Sequence, residues 1–348
     1  VIDAVKKNEA ITIAGVTVAP GKRQYIDVPL PPMYTHTSVS MPVHVINGRN
    51  AGPTLFVSAA IHGDEINGIE IIKRLLGTKS LNRLNGTLIA VPVVNVYGFF
   101  SQSRYLPDRR DLNRSFPGSD RGTMASRLAD TFMSEIVEKC THGIDFHTAA
   151  AGRANLPQIR CDLDASDEML PLAKAFSPPV ILDSQTRAGT LRAAVNEKPV
   201  LLYEAGEALR FDDLAIRAGV KGSLRVMRYL KMLPPARSDG KYEPTIANDS
   251  VWMRAPQSGI VRSRLQLGAI VKRGDSLGLV SDPFGEAEEE VISQVSGVLV
   301  GRTTMPLVHE GEALFHVACL SSTKSAARVV DEFHQEYEQA QLRPVQDL

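Results

Sequence analysis

TLFVSAAIHGDE, residues Thr54 to Glu65, is an apolar run that stops abruptly at a histidine, a glycine and two acids. Thr54 to Ile61 are apolar or small with β-branched members, the pattern of a strand buried on both faces of a parallel sheet. Gly63 allows a tight backbone turn. Ile66, Ile69, Ile72, Leu75 and Leu76 then fall at helical spacing, so a helix follows. His62 and Glu65 are thereby placed where a strand hands over to a helix, the edge at which open α/β sheets bind ligands. A histidine and a carboxylate three residues apart can reach one metal ion. With eight histidines in the chain, one such pair is weak evidence alone, and its meaning depends on what else reaches the same edge.

The 348 residues suffice for two domains. Hydrophobic residues make up 43% and charged residues 22%, an ordinary globular composition. Lys+Arg and Asp+Glu both number 39, so net charge gives no support for a nucleic-acid or anionic-membrane partner. No apolar run approaches the roughly 20 residues of a membrane span. Cys140, Cys161 and Cys319 lie far apart, without disulfide or metal-ligand spacing. They read as buried thiols in a reducing compartment, and with no signal-peptide pattern at the start a cytoplasmic location is expected.

Strands and helices then alternate. Residues 1–50 read as a β-rich lead-in, with His36 and His44 as strand or surface histidines. Gly86 to Val94 is a second buried strand, ending at Asn95. Tyr97 to Gly118 is a long irregular stretch with Arg104, Arg109, Arg110, Asn113 and Arg114, pinned by Phe99, Phe100, Tyr105 and Phe116. A loop of that length in a compact domain is usually functional or disordered, and the aromatics favour an ordered, cationic one. Met124 to Cys140 predicts an amphipathic helix. Gly143 to His147 is a strand ending in histidine, with His142 at its far end. Helices are expected over Asp167–Ala175, Leu191–Asn196 and Asp212–Leu233, and strands over Val180–Asp183 and Pro199–Tyr203, the last running into Glu204. The pattern predicts an α/β domain over 1–235, its sheet mostly parallel or mixed and covered by helices on both faces.

Residues 236–249 have linker composition. Beyond them the pattern changes to an internal repeat. Ser258-Gly259-Ile260-Val261 leads to Val271-x-x-Gly274-Asp275-x-Leu277, and Ser296-Gly297-Val298-Leu299 leads to Val308-x-x-Gly311-Glu312-x-Leu314. Residues 250–320 resemble the biotinyl/lipoyl-type barrel-sandwich, two interlocked β-units. The turn at Ser281 to Glu290 lacks the lysine that such carriers modify. Residues 321–348 form a polar tail, expected to be helical.

The strand ends collect His62 and Glu65, Asn95, His147 and Glu204. Two histidines and one carboxylate make a catalytic zinc pattern, one Zn2+ per chain, with the fourth position open to water. Zinc suits these donors best, with other divalent ions open. Such chemistry needs a base, for which Glu204 is the candidate. It needs a positive group for the oxyanion, which Arg104 can supply. Asn113 and Arg114 can clamp a substrate carboxylate.

His62-Gly63-Asp64-Glu65, Arg104-Tyr105, Asp111-Leu112-Asn113-Arg114, Asp145-Phe146-His147 and Glu204-Ala205-Gly206, in this order, resemble the succinylglutamate desuccinylase/aspartoacylase family, a branch of the zinc carboxypeptidase fold. The resemblance covers roughly residues 40–235. It implies His62, Glu65 and His147 as zinc ligands, Glu204 as general base and acid, Arg104 on the scissile carbonyl, and Asn113 and Arg114 on the carboxylate of the amino-acid part. It matches Arg192 more loosely to a substrate-binding arginine. No tyrosine of the last domain matches the one aspartoacylase contributes. The expected function is a zinc-dependent amidohydrolase acting on a small N-acyl amino acid or related N-acylated amine. The expected partner is that substrate, with no nucleic acid and no membrane, and a homo-oligomer is left open. The alternative is a metallocarboxypeptidase acting on peptide C-termini. A lipoyl-like carrier and a metal-free scaffold are rivals from other classes, opposed by the missing lysine and by the complete ligand set.

Overall fold

The computed structural model describes residues 6–195, 198–236 and 242–338. The lead-in consists of strands β1 (Ile11–Ile13), β2 (Val16–Val18), β3 (Arg23–Leu30) and β4 (Val39–Asn47). The α/β part follows with β5 (Asn50–Ala59), α1 (Asn67–Leu76), β6 (Asn85–Val91), α2 (Val96–Phe100), α3 (Met124–Glu135), β7 (His142–Ala149), β8 (Arg153–Cys161), α4 (Met169–Phe176), β9 (Val180–Asp183), α5 (Leu191–Ala194), β10 (Val200–Glu207) and α6 (Asp213–Tyr229). The remainder holds β11 (Thr245–Ala247), β12 (Ser250–Arg254), β13 (Gly259–Arg262), β14 (Ile270–Val271), β15 (Ser276–Ser281), β16 (Glu288–Ile292), β17 (Gly297–Thr303), β18 (Leu307–Val308), β19 (Ala313–Cys319) and α7 (Lys324–Glu338).

At the centre, β6, β5, β7 and β10 run parallel in that spatial order. Antiparallel strands extend this core on both sides: β4 beside β6, and β8 beside β10. The sheet is therefore mixed. Its two faces bury separate cores. One packs Ile71, Leu75, Phe176 and Leu224 from α1, α4 and α6 against Val57, Ile144 and Leu201. The other packs Leu128 and Phe132 of α3 with the lead-in strands against Phe56, Ile89 and Val91. Alternation of these side chains along fully buried strands explains why β5 to β7 read as continuous apolar runs.

The structure moves several boundaries. Strand β5 starts four residues before Thr54, and β6 stops at Val91 rather than Val94. Helix α3 ends at Glu135, and a 3-10 turn at Val137–Lys139 completes the stretch expected as helix to Cys140. The irregular stretch after Asn95 contains the short helix α2 and a 3-10 turn at Leu112–Arg114. Strand β8 has no counterpart among the expected strands.

Of the expected linker 236–249, residues 237–241 lie outside the described set, and Thr245–Ala247 form β11, which joins the sheet parallel to β9. The β-rich last part is not detached either. Strand β17 pairs with β8, Gly301 opposite Asn155, so one thirteen-stranded sheet runs through both parts. An unpaired β8 edge would expose backbone donors and acceptors, and β17 together with β9 covers it. The sequence repeat is visible in the pairing: β14 of the first unit pairs with β17 of the second, and β18 of the second with β13 of the first. Met253, Leu277, Val280, Leu299, Leu314 and Phe315 fill the space between the two units. Of the tail, Lys324–Glu338 is helix α7, and 339–348 lie outside the described residues.

Candidate active site

His62, Glu65 and His147 come together at the carboxyl edge of β5 and β7. Each is buried, and one donor atom from each lies within 4.8 Å of the others. The backbone explains the convergence. Ala60 takes a positive φ of 53° at the end of β5 and turns the chain out of the strand. Gly63 is required by a close approach rather than by φ, because a Cβ there would lie 2.0 Å from the Gly98 carbonyl carbon. Gly68 lets α1 settle on the sheet, where a Cβ would stand 2.6 Å from those of both Ala59 and Phe146. Asn67 ties the start of α1 to Ala205 O and to the Asp212 N–H. Glu65 is thus held between the two strand-end histidines.

Glu65 Oε1 lies 2.6 Å from His62 Nδ1, and Oε2 lies 2.8 Å from His147 Nδ1 and accepts the Thr148 N–H. The far nitrogens of both rings also face carboxylates. His147 Nε2 is 2.7 Å from Asp145 Oδ2, and His62 Nε2 is 3.1 Å from Asp111 Oδ1. Asp145 in turn accepts from Ser58 Oγ at 2.8 Å. Both imidazoles therefore aim Nδ1 at a common point and brace Nε2 on an acid, the arrangement that orients histidine ligands around a metal. The donor set fits one divalent cation.

The electrostatics agree. Burial opposes charge on His62 and His147, but neighbouring carboxylates outweigh it: Glu65 and Asp111 for His62, Asp145 and Glu65 for His147. Both pKa values are raised, that of His147 strongly. Burial likewise opposes ionisation of Glu65, yet the two imidazoles hold its carboxyl far below the usual range. The carboxylates thus hold protons on the two imidazoles, and a divalent cation bound at this point would replace them.

Arg104 lies beside this group. Its Nη1 is 3.3 Å from His62 Nδ1 and 3.5 Å from Glu65 Oε1, and Asp111 Oδ2 accepts from its Nε and Nη2 at 3.1 and 2.9 Å. Glu204 sits opposite His147 in the parallel β7–β10 register, which puts both side chains on one face of the sheet. Its Oε2 accepts from Asn155 Nδ2 at 2.7 Å and from Arg160 Nη2 at 2.9 Å. Among the described residues Oε1 has no partner.

Asn113 and Arg114 lie on the 3-10 turn that Asp111 caps. Asn113 Oδ1 is engaged by the Leu191 N–H at 2.9 Å, leaving its amide NH2 as the group to offer a ligand, and Arg114 is exposed. Arg192 donates through Nη1 to Ser184 Oγ at 3.0 Å and through Nη2 to Ser184 O. Its pKa is lowered by burial, with Arg160 nearby adding to the effect. Asn95 is structural, since it caps α2 by accepting the Gly98 N–H and donates to Ile61 O. His142, at the other end of β7, pairs with Glu168.

Four residues of this arrangement had no role in the sequence reading: Asp111, Asp145, Asn155 and Arg160. Asp145 was detectable, since it is two residues before His147 on one strand and so shares its face. Asp111 belongs to the stretch Asp111-Leu112-Asn113-Arg114 that carries the family resemblance. Asn155 and Arg160 belong to β8, whose sequence carries no such signal.

A mixed α/β sheet with two histidines and a glutamate gathered at one strand edge, a guanidinium beside them and a carboxylate on the next strand, is an arrangement that could hold one metal ion beside an acid–base group, as hydrolases use. The catalytic-domain profile of the succinylglutamate desuccinylase/aspartoacylase family matches residues 51–230, and the chain belongs to that family, one of N-acyl amino acid deacylases acting on amide bonds. Its sequence is 26% identical over 309 residues to the N-alpha-acetyl-L-2,4-diaminobutyric acid deacetylase of Halomonas elongata, covering 81% of this chain and 86% of that protein. The product-bound ectoine utilization protein EutE (DoeB) of Ruegeria pomeroyi superposes with a TM-score of 0.77 at 25% identity, over 90% of this chain and all (100%) of that one. A succinylglutamate desuccinylase/aspartoacylase of Rhodobacter sphaeroides gives 0.76 at 25% identity, over 85% and 95%. No helix among the described residues is long and apolar enough to cross a membrane.

Proposed function

We propose that this protein is a zinc-dependent amidohydrolase that removes the acyl group of a small N-acylated amino acid or related amine. The supporting observation is the meeting of His62, Glu65 and His147 with Arg104 on one side and Glu204 in register with His147. One zinc ion would be held by the Nδ1 atoms of both histidines and by Glu65. Bound there, it supplies Lewis acidity to water and to the scissile carbonyl.

The chain's own groups do the rest. Glu204 is fixed through Oε2, so Oε1 is the atom that takes the proton of the attacking water. A C–O bond forms, the C–N bond breaks, and the same proton passes from Glu204 to the departing amine. Arg104, locked by Asp111, donates to the oxyanion, a contact of this kind contributing a few kcal/mol. Arg114 and the Asn113 amide hold the carboxylate of the amino-acid part, with Arg192 as a further cation near Glu204. The last β-part is a barrel-sandwich without carrier function, because its Ser281 to Glu290 turn has no lysine. The enzyme acts in the cytoplasm.

The test is a screen of zinc-loaded protein against N-acetyl and N-succinyl amino acids, N-acetylated diamino acids and dipeptides. The name of the Halomonas relative puts the diamino acids among the first to try. Turnover of N-acyl amino acids with little on dipeptides is expected. Turnover of dipeptides alone would move the protein to the carboxypeptidases, and no turnover at full zinc occupancy would remove the reading.

A further inference from the structure

The amino ends of the central strands carry a second feature, independent of the reading above. A cleft of about 1190 Å3 opens where β3 begins, where the β4–β5 turn lies, before β6, and at the ends of α4 and α6. Strand β5 runs from this cleft at Asn50 to the His62 edge, so at the usual rise per residue the two are about 30 Å apart. Small-molecule sites commonly enclose about 300–1,000 Å3, so the cleft has room for one.

Its charge is one-sided. Eight lysine and arginine side chains line it, and no acidic side chain does so among the described residues. The chain as a whole carries 39 residues of each sign, so this is segregation rather than composition. Two of the eight are neutralised from outside the cleft, Lys174 by Glu243 and Arg225 by Glu336. The side chains of four others, Lys22, Arg49, Arg83 and Lys231, have no ion-pair or hydrogen-bond partner among the described residues, and all four are exposed. The carbonyl end of α6 accounts for a cation at Lys231. It does not account for Lys22, Arg49 or Arg83, which come from three separate connections, β2–β3, β4–β5 and α1–β6. Gathering unpaired cations in a concavity is costly in self-repulsion unless an anion relieves it.

We propose that this cleft binds a small polyanion presenting phosphate or carboxylate groups at two or more points. Arginine forks bind both groups bidentately, and cations drawn from several segments suit a ligand with several charged ends. The concave shape suits a small molecule rather than a nucleic-acid duplex.

The experiment is isothermal titration of the full chain with tripolyphosphate, citrate and ATP at about 0.15 M salt, where weak surface attraction is largely screened. Saturable one-to-one binding of at least one anion is expected, and comparing the three separates phosphate from carboxylate recognition. The pair Arg49→Glu and Arg83→Glu should weaken it by roughly tenfold or more, as loss of charge-assisted contacts implies, at an unchanged thermal midpoint. The pair Lys22→Glu and Lys231→Glu, also at exposed positions, should do the same if the first variant folds poorly. Absence of saturable binding for all three anions, binding of a single-stranded oligonucleotide only, or wild-type affinity in both double variants would overturn the proposal.

Discussion

Arg160 of β8 stands 2.9 Å from Glu204 Oε2, the same oxygen that accepts the Asn155 amide. The pairing is antiparallel, so a strand outside the parallel core supplies both fixings of the proposed base. One oxygen is immobilised, and the other has no partner among the described residues.

Removing that fixing should cost turnover and leave metal binding alone. Arg160→Ala is expected to lower kcat by about 10- to 100-fold, since a hydrogen bond to a charged group is worth about 1.5–3 kcal/mol. Glu204→Gln should lower it by about 100- to 10,000-fold, the range of general acid–base catalysis. Zinc content should stay at the wild-type level in both, with KM moving little. A wild-type kcat in Arg160→Ala would separate this arginine from the reaction, and loss of zinc would make it structural.

Much of this site is legible because β5, β7 and β10 are buried on both faces and their apolar runs give way to polar residues near their carboxyl ends. His62 and Glu65 follow the end of β5, and His147 and Glu204 stand two and three residues before the ends of β7 and β10. The braces were not legible in the same way. Strand β8 is antiparallel to β10 and reads RANLPQIRC, in which Asn155, Gln158 and Arg160 interrupt the apolar residues, so no apolar run announces it. Gly63 does lie in a tight turn, closed by the Glu65 N–H on His62 O, but what demands glycine there is the close approach of Gly98, far along the chain, while Ala60 takes the left-handed conformation. The separation into two domains with a linker was read from composition. The pairing of β17 with β8 depends on a free strand edge, which composition does not report.

The bracing acid Asp145 gives a second test. Asp145→Asn keeps both histidines and Glu65 but weakens the hold on His147 Nε2 at 2.7 Å. Zinc affinity, measured by competition with a chromophoric chelator, should fall by about 10- to 100-fold, the usual effect of losing such a partner. His147→Ala should strip most of the metal. An unchanged affinity in Asp145→Asn would show that His147 is oriented without it.

Arg114 and Arg192 differ in exposure and in how far they are engaged. Arg192 has both terminal nitrogens on Ser184, whereas Arg114 is exposed on the turn after Asp111, with Nη1 donating to Asn113 O and Nη2 without a partner among the described residues. Arg114→Ala is therefore expected to raise KM for carboxylate substrates by about 10-fold or more, as loss of a bidentate pair implies. For the same reason the effect on an esterified, uncharged analogue should be small. Equal effects on acid and ester would argue against a carboxylate clamp at Arg114.

Stability should fall on mild acidification, and His316 gives a residue-specific reason. Its ring stacks on Trp252 with centroids 4.5 Å apart and planes 4° from parallel, and its Nδ1 is buried without a partner among the described residues. Burial, with the Arg160 charge added, pushes its pKa down to about 3 from 6.5. The folded state thus binds fewer protons than the unfolded state between those values. The stabilisation is complete above pH 6.5 and is lost as pH falls toward 3. At pH 5 the loss from this residue should be about 2 kcal/mol relative to neutral pH, at 1.36 kcal/mol per unit. Urea unfolding of wild type and His316→Gln at both pH values measures it. The variant should be less stable at neutral pH, through lost stacking, and should lose about 2 kcal/mol less on acidification. An identical acid loss in the two proteins would show that His316 is not held neutral by its burial.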